Sequence, residues 1–258
     1  MGTWKLTVEY AGTRYRGWQE QPGERTVAGA LRDAAREVLG GQPDLGGAGR
    51  TDAGVHALAQ VAHLRTRGNG RPPAELAAAL NDCLPADIHI LSAEPAPERF
   101  HARHDAVARS YLYQISRRRS AFLKPFVWWV REPLDVRAMR AAASALPGAH
   151  DFAAFSEADP AVRSSRVLVE DVRLEEFGDL IVIRFFASHF LWKMVRRVTG
   201  ALVRVGAGRL REGRFRELLE SGEGTVAEWT APPSGLFLEK VLYKGERLGP
   251  VFPAISRA

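Results

Sequence analysis

One carboxylate stands out because of the residues around it. Asp52 lies in residues 48–58, which have the sequence AGRTDAGVHAL. Glycines on both sides of Asp52 allow backbone conformations that other residues avoid, and they let a ligand approach the chain closely. A carboxylate on such a loop, two residues after Arg50, could act as a charge-paired nucleophile or base. The pattern is equally typical of an aspartate that caps a turn through its own backbone.

The first part of the chain, which must position this loop, is predicted to contain three strands and two helices. The strands follow from alternating apolar residues, and the helices from apolar residues at helical spacing between capping and breaking residues. In chain order they are a strand at 4–10, a helix capped by Thr26 and ended by Gly40, a strand at 58–64, a helix opened by Pro72, and a strand at 88–91. Residues 95–104 are predicted to connect this part to the next.

The second part repeats a similar mixture of elements. Its predicted elements are a strand at 110–116, a helix from Asp135 to Leu146, a hairpin of strands 166–177 and 180–186, helices at 190–205 and 213–219, and a strand at 236–241. Two parts that each combine antiparallel strands with helices predict an α+β architecture. We place the domain boundary between residues 1–105 and 106–258.

The composition favours an anionic partner and an intracellular location. The formal net charge is +6, which suits binding to a polyanion. Cys83 is the only cysteine, so no intrachain disulfide can form, and this fits a reducing cytoplasm. No apolar run reaches the roughly 18 residues of a membrane span, and the first residues lack the shape of a signal peptide. We therefore expect a cytoplasmic protein without a membrane anchor.

The sequence offers no cofactor or metal motif. His101 and His104 lie three residues apart, but no second pair of ligands accompanies them, so a zinc site is not expected. The glycine-rich residues 46–49 lack the following Gly-Lys-Ser/Thr of a phosphate-binding loop. An enzyme without cofactor or metal is the simpler interpretation.

The Asp52 loop does not stand alone: six other motifs follow a known family's order. Together they resemble the TruA family of tRNA pseudouridine synthases over nearly the whole chain, from Thr7 to about Tyr243. The motifs lie at residues 10–21, 49–57, 100–103, 110–113, 151–155, 194–196 and 235–238. One glycine motif would be weak support, whereas ordered motifs over this length are strong support.

The resemblance implies a fold and a reaction. The fold would be two ferredoxin-like or RRM-like halves whose mainly antiparallel sheets join, with the active-site cleft between them. The enzyme would be a homodimer that isomerises uridine to pseudouridine in the anticodon stem-loop of tRNA, at positions 38, 39 and 40. The target uridine must leave its stack to reach such a site.

The resemblance also implies roles for individual residues. Asp52 would be the nucleophile, Tyr111 would stack on the uracil and act in proton transfer at C5, and Arg196 would pair with Asp52. Candidate substrate contacts, besides Tyr111, are Arg16, Trp18, Gln19, Arg50, His56 and Arg103.

For several of these residues the pattern alone leaves a plainer interpretation open. Spacing along its strand favours Tyr111 as a core aromatic. Arg196 points about 150° from the apolar face of its predicted helix, so it faces either solvent or a cleft. Trp18 could be a buried anchor of its loop. The basic run 117–119 is either a solvated loop or a phosphate contact.

Three rival functions remain at this stage. The first is a related synthase with another RNA target, which the catalytic motifs would not distinguish. The second is an RNA-binding protein without catalysis, against which the intact Asp52, Tyr111 and Arg196 argue. The third is a hydrolase that removes the base, which free uracil in the reaction would reveal.

Overall fold

The computed structural model describes residues 2–66, 71–158, 164–222, 224 and 226–256. The chain divides into two compact units. The first comprises residues 1–107 and 237–247, and the second comprises residues 108–236 and 248–258. The first unit therefore includes a late segment that lies beyond the boundary predicted near residue 105.

The first unit is built on strands that flank the Asp52 loop. Its elements up to residue 107 are β1 (Gly2–Tyr10), α1 (Val27–Leu39), β2 (Asp44–Gly47), β3 (His56–Thr66), α2 (Pro73–Cys83) and β4 (Ile88–Pro95). β1 is central, since it pairs antiparallel with both β3 and β4, and β2 pairs antiparallel with β3. The Asp52 loop is the connection between β2 and β3.

The second unit carries the other residues that the family resemblance singles out. Its elements are β5 (Ala108–Ser116), β6 (Trp128–Trp129), α3 (Val136–Ala143), β7 (Gly148–Asp151), β8 (Arg166–Phe177), β9 (Leu180–Ala187), α4 (Met194–Gly206) and α5 (Glu212–Ser221). β9 pairs antiparallel with β5 and β8, and β8 pairs antiparallel with β7. β6 pairs parallel with the end of β5.

The last strand, β10 (Leu236–Leu242), pairs parallel with β3 through Phe237 and Leu238. With it, the described residues form ten strands and five α-helices, so the predicted α+β class is confirmed. Among the described helices, none combines the length and the apolar character needed to cross a membrane.

Local sequence explains most element boundaries. Thr26 caps α1 by accepting a hydrogen bond from Gly29 N–H at 3.2 Å, as predicted. α4 begins at Met194 and not near Phe190, because Lys193 has the left-handed conformation (φ 60°) that an L-residue helix cannot continue through. α3 ends at Ala143 and not at Leu146, since residues 144–146 form tighter turns. The short strands β2, β6 and β7 were not predicted.

Candidate active site

Main-chain hydrogen bonds hold the Asp52 loop against the loop that follows β1. Trp18 N–H donates to the carbonyl oxygen of Thr51 at 3.1 Å, and Gly54 N–H donates to that of Tyr15 at 3.2 Å. The Tyr10 hydroxyl and Thr51 Oγ1 share a further buried hydrogen bond of 2.8 Å. The backbone is therefore fixed on both sides of Asp52.

Glycine allows these two loops to approach so closely. A Cβ added to Gly12 would lie 1.8 Å from the carbonyl oxygen of Val55, and one on Gly17 would lie 2.5 Å from that of Thr51. Gly17 also has φ +97°, a conformation that L side chains rarely adopt. These glycines serve the contact between the loops, which sequence spacing alone did not reveal.

Asp52 itself opens a turn and keeps part of its surface accessible. Val55 N–H donates to the Asp52 carbonyl oxygen at 3.1 Å, and Gly54 has φ +78°. The Asp52 side chain is half-buried. The turn predicted by the plainer interpretation is therefore present in the main chain, and the residue that carries the carboxylate is not fully enclosed.

His56 lies inside the first unit. Its Nδ1 accepts a hydrogen bond from Gly12 N–H at 3.1 Å, and its ring stacks on Phe237 with centroids 4.8 Å apart. Only 1% of its surface is exposed. These contacts tie the end of the Asp52 loop to the core, and a direct contact of His56 with substrate stays a prediction.

Arg16 and Trp18 lie on the loop after β1 in different settings. Arg16 is exposed, and its Nε donates to Glu24 at 3.2 Å. Trp18 is 3% exposed and packs with Tyr10, ring centroids 6.1 Å apart. The buried-anchor interpretation of Trp18 is therefore supported, although an edge of its ring also lines a cavity.

That cavity, which we call the Arg50 cavity, has a volume of about 240 Å³. Three groups of residues line it: Trp18, Gln19 and Arg50; the glycines Gly46, Gly47 and Gly49; and His101, Arg103 and His104. Four predicted substrate contacts (Trp18, Gln19, Arg50 and Arg103) thus line one cavity, whereas Arg16 and His56 do not.

The sequence analysis weighed His101 and His104 as a metal-binding pair, and His101 also lies in the 100–103 motif, a candidate segment for RNA contact. In the structure they belong to a row of three rings, with centroid distances of 4.6 Å from His63 to His101 and 4.2 Å from His101 to His104. Burial lowers the pKa of His63 to about 4, and burial followed by the neighbouring His104 lowers the pKa of His101. The only sequence signal was the place of His101 inside the 100–103 motif.

The segment that carries these rings is firmly anchored. Arg65 Nη2 donates to the Phe100 carbonyl oxygen at 2.6 Å, and the Tyr243 hydroxyl donates to that of Ala102 at 2.8 Å. Ala102 N–H donates to His63 Nδ1 at 3.2 Å, which requires that nitrogen to be unprotonated. This wall of the Arg50 cavity is therefore preformed.

In the second unit, Tyr111 lies on β5 and is 8% exposed. Its ring meets Phe190 edge-on, with centroids 5.0 Å apart. Tyr113, two residues along, is fully buried, donates its hydroxyl hydrogen to the Pro232 carbonyl oxygen at 2.7 Å, and has its pKa raised well above the usual value by burial. Tyr113 therefore packs in the core.

Arg196 lies on α4 and is half-buried, in agreement with its predicted position off the apolar face. The peptide groups around Ala231 hold it twice: Arg196 Nε donates to the Ala231 carbonyl oxygen at 2.8 Å, and Ala231 N–H donates to the Arg196 carbonyl oxygen at 3.1 Å. Gly200 lies one helical turn after Arg196. Its lack of a side chain lets residues 229–231 pack against α4, since an added Cβ would lie 1.6 Å from the Trp229 carbonyl oxygen.

Arg197, the next residue, was not singled out from the sequence. It is 6% exposed, and its Nη2 lies 3.3 Å from Glu157, which also pairs with Lys193 at 2.5 Å. Arg197 Nη1 donates to the Ser156 carbonyl oxygen. Arg197 therefore organises the chain before residue 159, and no periodicity signal could have separated this role from a surface charge.

The basic run 117–119 is largely engaged within the second unit. Arg117 pairs with Glu176 at 2.9 Å, and Arg118 pairs with Asp179 at 2.9 Å, both at the end of the β8–β9 hairpin. The Arg119 guanidinium lies 5.7 Å from the centre of the Trp129 ring. These contacts favour the solvated-loop interpretation.

No group of three or more histidine, cysteine or acidic side chains is disposed to hold a metal ion within the part of the chain that the structure describes. The chemistry on offer at the Asp52 loop is that of one carboxylate, arginine side chains and aromatic rings. Such a set suits a reaction on an anionic, base-containing substrate.

Comparison with known proteins identifies the class of enzyme. The family model described as tRNA pseudouridine synthase matches residues 6–105 and 142–244. The chain belongs to this family, whose members are isomerases that act on tRNA. The predicted family and enzyme class are confirmed.

Relatives extend the match over more than nine-tenths of the chain. Proteins named tRNA pseudouridine synthase A from Pelobacter propionicus and Thermoanaerobacter sp. (strain X514) are 43% and 41% identical, covering 94% and 92% of this chain and 100% and 98% of their own. The protein of that name from Nitrosomonas europaea is 40% identical, over 96% of this chain and 91% of its own. A solved structure of an unknown protein from Galdieria sulphuraria covers 79% of this chain and 91% of its own at 15% identity, with a TM-score of 0.21, too low to support an argument.

Proposed function

We propose that this enzyme converts uridine to pseudouridine in the anticodon stem-loop of tRNA, at positions 38, 39 and 40. The observation that carries the proposal is the Asp52 loop. It keeps the whole family motif from Gly49 to Ala57, and it is clamped by main-chain hydrogen bonds that fix the backbone on either side of a half-buried carboxylate. Relatives named for tRNA pseudouridine synthesis, about 40% identical along their whole lengths, support it.

The reaction rearranges one nucleoside without adding or removing atoms. The N1–C1′ bond breaks, the uracil turns while it is held, a C5–C1′ bond forms, and the proton on C5 is lost as N1 gains one. No oxidant, reductant or water is consumed, so this chemistry requires no cofactor. The protein must supply a nucleophile, a seat for the detached base and an acceptor for the C5 proton.

Three residues are proposed for these tasks on the strength of the family motifs. Asp52 is the nucleophile, and Arg196 pairs with it, which would hold the carboxylate in one orientation. Tyr111 stacks on the uracil and takes part in removing the C5 proton. The strand position of Tyr111 and the double hydrogen bonding of Arg196 to Ala231 support fixed positions for both side chains.

The substrate contacts are proposed to centre on the Arg50 cavity. Trp18, Gln19, Arg50 and Arg103 line it. Arg16 is exposed on the neighbouring loop and remains a candidate contact with the RNA backbone, and His56, which is buried, stays a candidate contact on the strength of the family motif. An RNA strand held by arginines should dissociate more readily as salt rises.

The finer features of the family's architecture are part of the same proposal. The order β1–α1–β2–β3–α2–β4, with β1 paired to β3 and β4, is that of a split βαβ motif, which supports a ferredoxin-like first half. The joined sheets, the active-site cleft, the cytoplasmic location and the homodimer are expected from the family. Light scattering at micromolar concentration tests the dimer, and a monomeric mass would contradict it.

Tritium release from tRNA containing 5-tritiated uridine tests the reaction. We expect the wild-type enzyme to release tritium. Asp52→Asn, which keeps the shape but removes the charge, should lose at least about 10³-fold in turnover while still binding tRNA. Substantial turnover by Asp52→Asn would remove Asp52 from its role. Free uracil in the wild-type reaction would instead indicate base removal, and binding without release would indicate another substrate.

A further inference from the structure

We propose that the Arg50 cavity is a subsite for one nucleotide of the RNA strand next to the target uridine, with its phosphate held by Arg50 and Arg103, and that Gly49 keeps this subsite open. The inference rests on the proposed function, because the occupant is part of the RNA substrate. It adds a role for Gly49 and for the rings of His101 and His104.

Gly49 is the glycine of this cavity that the fold does not explain. An added Cβ on Gly46 would lie 2.5 Å from the His63 ring, and one on Gly47 would lie 2.5 Å from the Trp18 ring, so packing requires both glycines. An added Cβ on Gly49 would meet no heavy atom within 4 Å, and Gly49 is not among the glycines with positive φ. Neither packing nor backbone conformation requires glycine there, and a side chain at this position would extend into the open space in front of Gly49.

The backbone at Gly49 is anchored, so a side chain placed there would enter open space without moving the Asp52 loop. Gln60 Nε2 donates to the Gly49 carbonyl oxygen at 2.9 Å. Ala48 N–H donates to the carbonyl oxygen of Val61 at 2.8 Å. A larger residue at position 49 would therefore compete with an occupant of the cavity and leave the fold intact.

The charges around the cavity favour an anion. Arg50 and Arg103 are both exposed, and no acidic side chain is among the described residues that line the cavity. Within the described part of the chain, the Arg50 side chain makes no hydrogen bond or ion pair. A guanidinium fork matches the oxygens of a phosphodiester group, which is the repeating anion of RNA.

The rings of His101 and His104 at the Arg50 cavity favour a nucleotide over a bare anion. The rings of His101 and His104 are packed with their centroids 4.2 Å apart, and burial lowers the pKa of His101. Aromatic rings provide faces on which a base can stack. Arginines and rings together suit a phosphate and its attached nucleoside.

The wall is also rigid before any ligand arrives. Phe100 and Ala102 are each held by side chains from other elements of the first unit, Arg65 and Tyr243 respectively. A preformed subsite costs little ordering entropy when the RNA binds.

A graded size series at position 49 tests the proposal. Gly49→Ala and Gly49→Val are compared with the same changes at Gly213, a helical glycine whose added Cβ also meets nothing within 4 Å. We expect the Gly49 variants to unfold at the wild-type urea midpoint, to raise the tRNA Kd and KM, and to do so by about tenfold or more for valine and less for alanine. The Gly213 variants should bind tRNA as the wild type does.

A charge variant tests the phosphate contact. Arg50→Gln should reduce the slope of log K against log salt by about one, which is the signature of one lost phosphate contact. Arg137→Gln, which removes an exposed arginine on α3, is the matched control and should leave the slope unchanged. Equal reductions by both variants would mean that only overall charge matters and would overturn the proposed contact.

The results separate this inference from the proposed function. If wild-type enzyme releases tritium but a folded Gly49→Val variant keeps the wild-type Kd and KM, the subsite is wrong and the reaction stands. If wild-type enzyme binds tRNA without releasing tritium, the reaction is wrong, and the Gly49 series still decides whether RNA occupies the cavity.

Discussion

The two regions that carry the proposed catalytic residues are held by different kinds of contact. The Asp52 loop of the first unit is fixed from outside, by main-chain hydrogen bonds to a second loop and by glycines that let the two loops touch. Arg196 of the second unit lies on α4, most of whose residues are buried, and the segment at Ala231 bonds to both its Nε and its carbonyl oxygen.

This difference predicts how strongly turnover responds to an added side-chain atom in each region. A loop fixed by backbone contacts has few ways to absorb an added atom, so a single methyl group displaces the loop itself. A buried helix is held by many packing contacts. An added methyl group therefore displaces both the helix and the segment that it touches, each by a smaller distance. We therefore expect sharper effects on turnover from small changes beside Asp52 than from changes beside Arg196.

Among changes that leave the proposed catalytic residues themselves intact, the largest effect is expected for Gly17→Ala. The added methyl group would lie 2.5 Å from the Thr51 carbonyl oxygen, next to Asp52. We expect a loss of roughly 100-fold in tritium release, because displacement of a catalytic group by about 1 Å can cost that much.

Gly23→Ala is the matched control for this change. Gly23 also has positive φ, but its added Cβ would meet nothing within 4 Å. Both variants share the conformational strain of about 1–2 kcal/mol in the free energy of unfolding, and only Gly17→Ala meets the loop. Equal turnover in the two variants would show that the loop contact is not what positions Asp52.

The next effect concerns stability and pH in the first unit. Burial lowers the pKa of His63 to about 4, so the unfolded chain takes up a proton as pH falls below the ordinary value of 6.5, while the folded chain does not until near pH 4. The free energy of unfolding should therefore decrease by about 2 kcal/mol from pH 7 to pH 5 on account of His63.

Urea unfolding of His63→Gln at both pH values measures this contribution. Glutamine can still accept the hydrogen bond from Ala102 N–H but does not titrate, so its decrease from pH 7 to pH 5 should be smaller than that of the wild type. His89→Gln, an exposed histidine on β4, should keep the wild-type decrease. An unaltered decrease in His63→Gln would place the acid sensitivity elsewhere.

A smaller effect on turnover is expected beside Arg196. Gly200→Ala would place a Cβ 1.6 Å from the Trp229 carbonyl oxygen and push away the segment that ends at Ala231. We expect about a tenfold loss of turnover and a cost of about 1–3 kcal/mol in the free energy of unfolding. Gly213→Ala serves as the control, and a turnover loss greater than that of Gly17→Ala would reverse the comparison between the two regions.

The smallest effect is expected for Arg118→Gln in the basic run. The change removes an exposed ion pair with Asp179, with side-chain exposures of 46% and 59%, so the free energy of unfolding should fall by less than about 1 kcal/mol. Filter binding should give a tRNA Kd within about twofold of the wild type. A tenfold rise would instead support the phosphate-contact interpretation of residues 117–119.

Much of the fold could be predicted from local sequence. Thr26 and Gly40 mark the ends of α1 because capping chemistry acts within a few residues. The start of α4 could not be predicted, since the left-handed backbone at Lys193 follows from its tertiary surroundings and not from its side chain. The short strand β2 could not be predicted either, because four residues are too few to show an alternation of apolar and polar side chains.

For the candidate site too, some features could be predicted from the sequence and others required the structure. The sequence by itself singled out Asp52, Tyr111 and Arg196 for the proposed chemistry, since the motif around Asp52 and the family's ordered motifs are properties of residue type and spacing. It also indicated that Arg50 and Arg103 would contact an anionic substrate.

Only the tertiary structure decided how the first unit's site is built. It placed Trp18 in the core and His56 on Phe237, and it set residues 101–104 beside the Asp52 loop, about fifty positions away in the chain. It also showed that packing requires glycine at positions 46 and 47 but not at position 49. Such distinctions depend on which distant atoms become neighbours, and the spacing of residues along a chain does not contain them.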